Sequence, residues 1–110
     1  MAYINYLDEV KLSNKVYKKF PVILNNEHIL NRLVLKYFLS HRVVWSESTR
    51  RTYSKHLCDF FSQLEVENPE VSFDYIDDDW LEAYADQILE RNSNFPIYVS
   101  QILTTVINFL

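Results

Sequence analysis

Residues 46–61 read SESTRRTYSKHLCDFF. Ser46, Ser48 and Thr49 are each suited to cap a helix, because a short side-chain oxygen accepts one of the backbone N–H groups that a helix start leaves unpaired. Tyr53, Leu57, Phe60 and Phe61, continued by Leu64, then recur at three- and four-residue steps, which places them on one apolar face. The spacing predicts a helix over about 49–64. At about 100° per residue, Arg51, Lys55 and Ser62 point away from its apolar face, whereas Arg50 falls at the edge of the stripe.

The flanking segments are read by the same periodicity. Upstream, Ile29, Leu30, Leu33, Val34 and Tyr37 form a stripe that predicts a helix over about 27–40, capped by Asn25 or Asn26. Leu35 and Leu39 lie off that stripe, one turn apart, positioned either beneath residues 1–24 or against a missing partner. Downstream, Asn68-Pro69 marks an acidic loop over 65–76, and Asp77 caps a helix over 78–91 with Leu81, Tyr84, Ala85, Ile88 and Leu89 inward. Asn92-Ser93-Asn94 breaks the chain. Pro96 then opens a helix over 96–110, with Val99, Ile102, Leu103, Val106, Ile107 and Leu110 on one face. Its other face carries Gln101, Thr104 and Asn108, flanked by Ser100 and Thr105, polar but uncharged. Residues 1–24 show no helical period. Tyr3, Ile4, Tyr6 and Leu7, then Val16, Tyr17 and Phe20 beyond a Ser13-Asn14 turn signal, suit a short hairpin or an extended arm. The expected fold is therefore all-α: an orthogonal four-helix bundle over 25–110 with an extended or β-like N-terminal arm over 1–24. The pattern reaches Leu110 without a C-cap, which suggests a domain cut from a longer protein.

Composition limits what such a chain does. It has 110 residues, of which 48% are hydrophobic and 24% charged, values typical of a folded domain. Glycine is absent, which excludes the P-loop, the dinucleotide fingerprint and the serine nucleophile elbow, all of which need a residue without Cβ. The net charge of −4 hides an asymmetry: residues 1–60 carry +5 and residues 61–110 carry −9. The basic half can present a cationic face despite the acidic total. A single cysteine, Cys58, makes no internal disulfide and fits a reducing compartment, so a cytoplasmic location is expected, without a membrane span. His28, His41 and His56 are scattered, and neither HExxH nor CxxC occurs. No metal site and no cofactor is expected. Asp77-Asp78-Asp79 is accounted for by a helix start, where carboxylates complement the dipole.

From Phe20 to Leu110 the chain resembles the N-terminal, SAM-like core-binding domain of the tyrosine recombinase (phage integrase) family. Phe20-Pro21-Val22-Ile23-Leu24 looks like the approach to the first helix, which His41-Arg42 ends. Thr49, Tyr53, Leu57 and Phe60 match the family's S/T-T-x-x-x-Y-x-x-x-L-x-x-F pattern. Phe73-Asp74-Tyr75-Ile76-Asp77 resembles the aromatic-x-x-Ile-Asp step into the third helix, with Phe73 where tryptophan is common, and Asn94–Leu110 resembles the last helix. The family's catalytic domain, with its Arg, His-x-x-Arg and nucleophilic Tyr, has no counterpart in these residues.

The resemblance implies a half-clamp on double-stranded DNA, acting in DNA integration and recombination beside other recombinase protomers and a C-terminal catalytic domain. Catalytic residues are then none in this chain, which neither cleaves nor rejoins DNA. Arg51 and Lys55 suit phosphates, Gln101, Thr104 and Asn108 suit base edges or sugars, and Thr49 suits a cap that also touches phosphate. A rival expectation is a small helical protein–protein interaction module with no DNA role, which the Leu35/Leu39 pair and the acidic second half would suit.

Overall fold

The computed structural model describes residues 2–67, 76–92 and 96–110. The element order is β1 (Tyr3–Leu12), β2 (Lys15–Leu24), α1 (Arg32–Ser40), α2 (Glu47–Glu67), α3 (Asp78–Arg91) and α4 (Pro96–Phe109).

The all-α expectation is overturned. β1 and β2 form a two-stranded antiparallel sheet in register from Tyr3↔Leu24 to Leu12↔Lys15, so the described residues combine four helices with a hairpin. Its turn is Ser13-Asn14, and both residues have positive φ, 52° and 65°. Such a turn matches the right-handed twist of the strands. In a chain without glycine, Asn14 is among the residue types that accept this conformation at least cost. Only the Asp8/Lys19 step interrupts the ladder, where Lys19 also takes a positive φ of 51°.

The hairpin is built into the core. Phe20, Pro21, Val22 and Ile23 are buried in succession, because β2 packs against both α1 and α2. Helical period alone did not register this, since a strand covered on both faces shows a continuous apolar run and no alternation. Phe20 and Ile23 join Val34 and Phe38 of α1, Leu57, Phe60, Phe61 and Leu64 of α2, Tyr84 and Ile88 of α3, and Val99, Ile102 and Val106 of α4 in one cluster.

The first helix starts five residues later than its stripe predicts. Asn25 folds the chain back before it: its side chain accepts the N–H of Glu27 (2.9 Å) and of Ile29 (3.0 Å). His28 takes φ 64°, Leu24 bridges Leu30, and Asn31 N–H donates to the Ile23 carbonyl at 2.8 Å. Asn31 is the cap, accepting from Val34 N–H at 3.1 Å. Ile29 and Leu33 are consequently exposed, while Leu35 and Leu39 are half-buried against the core.

The other helices lie close to expectation. Ser46 caps α2, accepting from Thr49 N–H at 3.1 Å, and α2 continues to Glu67, past the expected loop start at Glu65. Asp77 caps α3, accepting from Trp80 N–H at 2.8 Å, and α3 has the expected bounds. Of the inward sets, Leu89 on α3, Ile107 on α4 and Leu110 just beyond α4 are exposed instead. Phe73-Asp74-Tyr75, Asn68-Pro69 and Asn94 lie outside the described residues. No helix among the described residues is long and apolar enough to cross a membrane.

Candidate functional site

α2 and α4 pack together and leave a groove of about 790 Å³ between them. From α2 it is lined by Ser48, Thr49, Thr52, Tyr53 and His56, and from α4 by Ser100, Gln101, Thr104, Thr105 and Asn108. Tyr37, His41 and Trp45 close one end. None of these residues is a lysine, arginine, aspartate or glutamate. The lining consists of hydroxyls, amides, imidazoles and aromatic rings.

Helical spacing produces this arrangement. Ser48, Thr52 and His56 follow one another at four-residue steps along α2, and Gln101, Thr105 and Asn108 recur at four and three along α4, so each series forms one stripe. Thr105 is buried and returns its hydroxyl proton to the Gln101 carbonyl at 2.8 Å, which leaves Ser100, Gln101, Thr104 and Asn108 as the exposed polar side chains of the α4 wall. Thr49 is held at the α2 wall by the Ser46 hydroxyl, which donates to its Oγ1 at 3.0 Å.

An aromatic cluster stiffens the closed end. His41 stacks on Trp45 with ring centroids 4.4 Å apart and planes 15° from parallel. Trp45 also meets Tyr37, Phe38 and Tyr53 edge-on at 5.3, 5.5 and 4.9 Å. Such contacts add about 0.5–1.5 kcal/mol per pair beyond burial. His41 Nδ1 lies 2.9 Å from the Tyr37 carbonyl, an acceptor that requires the proton on that nitrogen. Burial, with Tyr53 as a lesser influence, holds the Tyr37 hydroxyl above the usual phenol range.

His56 sits in the wall between this groove and a second cleft of about 250 Å³, whose lining includes Lys55, Asp59, Arg91 and Tyr98. It is 4% exposed, and its Nε2 has no hydrogen-bond partner. Burial lowers its pKa, and the nearby Asp59 carboxylate offsets part of that shift. Asp59 organises the second cleft. It accepts the Tyr84 hydroxyl proton at 3.0 Å, and Arg91 approaches both of its oxygens at 3.4 Å.

Of the six residues assigned to DNA from the sequence, Thr49, Gln101, Thr104 and Asn108 meet in one groove, whereas Arg51 and Lys55 do not line it. Arg51 is exposed on α2, 3.8 Å from Glu47 one turn back. Lys55 is exposed at the second cleft. Sequence reasoning missed Ser48, Thr52 and His56. Their four-residue spacing, uncharged like the α4 stripe, was the available signal. The remaining chemistry is sparse. Cys58 is half-buried, and burial pushes its thiol pKa up, away from the nucleophilic thiolate. Among the described residues no group of three or more His, Cys, Asp or Glu is placed to hold a metal ion. No protein-family model, curated protein or solved structure matches this chain.

Proposed function

We propose that this chain is a DNA-gripping, core-binding domain of a site-specific tyrosine recombinase, acting in integration or recombination while strand cleavage belongs to a separate catalytic domain. The observation that carries the reading is the groove between α2 and α4. Thr49, Gln101, Thr104 and Asn108 were assigned to DNA from two distant stretches of sequence, and they line one uncharged polar groove. Hydroxyls and amides donate and accept, as base edges and sugars require, without the desolvation cost of a buried charge. Arg51 and Lys55, exposed on α2, supply the phosphate contacts in this reading.

The test is a fluorescence-anisotropy titration of the chain on one duplex at several salt concentrations. The chain binds weakly, since its net charge of −4 repels the polyanion at long range, and more weakly as salt rises, since its Lys and Arg contacts to phosphates release counterions. Replacing Arg51 and Lys55 together by alanine removes about two phosphate contacts and flattens the slope of log K against log salt by roughly 2.

A second reading, a protein–protein interaction module, draws on a different surface. Leu33, Ile76, Leu81, Phe109 and Leu110 line a mainly apolar cleft of about 540 Å³, and Ile29 and Leu33 are more than half exposed. Absence of DNA binding at low salt, with the fold intact, would favour it.

A further inference from the structure

We infer that the tip of the β1–β2 hairpin is a second contact on duplex DNA, laying Lys11 and Lys15 against phosphates beside the segment held at the α2–α4 groove; this rests on the DNA reading above. The hairpin lies along α2 in a fixed sense. At its open end, the Ala2 carbonyl accepts the Ser62 hydroxyl proton at 3.3 Å. Towards its tip, the Arg50 guanidinium lies over the rings of Phe20 and Tyr17, 5.4 and 5.7 Å from their centroids. The ribbon therefore runs from the C-terminal part of α2, at Ser62, towards the α2 N-terminus.

Tyr17 pairs with Val10, and the ladder continues two residues further to Leu12↔Lys15 before the turn. Those two residues advance the ribbon by about 7 Å. From Arg50 to the first residue of α2, Glu47, the rise is only about 4.5 Å. The tip thus reaches the end of the molecule where Ser48 and Thr49 begin the groove and Arg51 is exposed.

Charge at the tip is one-sided. Between the Val10↔Tyr17 pair and the turn it holds Lys11 and Lys15 and no carboxylate, whereas Lys18, next along β2, pairs with Glu9. Lys11 and Lys15 are both exposed. Lysines along a free strand edge also deter edge-to-edge association. That role leaves the salt dependence of DNA binding untouched, which is how the two explanations separate. A two-stranded antiparallel ribbon has the cross-section that the major groove admits, so the tip can approach a duplex without remodelling it.

The experiment compares two double variants with the same loss of charge, K11Q/K15Q at the tip and R32Q/K36Q on α1, in the salt-dependent anisotropy titration. All four side chains are exposed, so both variants keep the fold. The expected result is that K11Q/K15Q lowers the log K–log salt slope by about 2, while R32Q/K36Q changes it by less than about 0.5. An unchanged slope in K11Q/K15Q overturns the inference, as does an equal change in both variants, which would reduce the effect to net charge. Flattening by R51A/K55A in the same series keeps the DNA reading standing in either case. Absence of binding by the unmodified chain at low salt overturns both.

Discussion

Arg50 is 4% exposed and its guanidinium lies 5.4 Å from the centre of the Phe20 ring, joining α2 to β2. It also donates to the Trp45 carbonyl at 2.8 Å, just ahead of the helix. A cation at the edge of an apolar stripe is placed to fold its alkyl stem over neighbouring rings. Replacing Arg50 by alanine removes packing, two ring contacts and one hydrogen bond, with an expected loss of about 2–3 kcal/mol. Arg50→Met retains the packing and loses less. Urea denaturation of the two variants measures the difference.

Tyr84 is buried, and its hydroxyl donates to Asp59. Tyr84→Phe is expected to cost about 1–1.5 kcal/mol at neutral pH. Burial, then the Asp59 charge and hydrogen bond, hold the phenol well above its ordinary value of 10. A raised folded pKa gives stability that is present below pH 10 and lost as pH rises, because the unfolded chain releases the proton first. The unmodified protein therefore loses stability above pH 10 more steeply than Tyr84→Phe, by up to about 1.4 kcal/mol per pH unit. Denaturant midpoints at pH 9, 10 and 11 test this.

His56 works in the opposite direction. Burial lowers its pKa, so folding favours the neutral ring. The associated stability is present above the unfolded value near 6.5 and is lost as pH falls below it. His56→Phe removes that loss, and its melting temperature falls less than that of the unmodified protein between pH 7 and pH 5. Equal falls in the two proteins would place the acid sensitivity elsewhere.

Gln101 and Asn108 carry no charge, so their contacts release no counterions. Gln101→Ala and Asn108→Ala are expected to leave the salt slope within about 0.3 of the parent and to change the ranking of duplexes of different sequence. Competition titrations with a panel of duplexes provide the readout.

Legibility in the sequence followed the range of the interactions. Asp77, the α3 bounds and the Leu57–Phe60–Phe61–Leu64 face of α2 were all readable, because caps and helical stripes involve residues within a few positions. The Ser13-Asn14 turn was readable for the same reason. Misreadings arose where a competing local turn or a distant contact overrode a helical pattern. Ile29 and Leu30 fit a helical stripe, yet Asn25 and the Leu24–Leu30 bridge hold them in a loop. Phe20 to Ile23 were read as part of an arm, and only the packing of α1 and α2 on β2 makes them core. At the groove, the α4 stripe was legible by itself. The matching α2 residues were hidden because Ser48 also suits a helix cap and the charged Arg50, Arg51 and Lys55 stand between Ser48, Thr52 and His56 along the chain.

The burial of Phe20, Val22 and Ile23 changes what trimming this protein means. Residues 2–24 have the outline of a dispensable leader: short, rich in β-formers and ahead of every helix. Removing them would leave a cavity where three apolar side chains had been, expose the walls of α1 and α2 that covered them, and strip Arg50 of both rings it lies against. A fragment beginning at Asn25 would therefore be an unfinished fold, prone to self-association through the surface the hairpin had occupied.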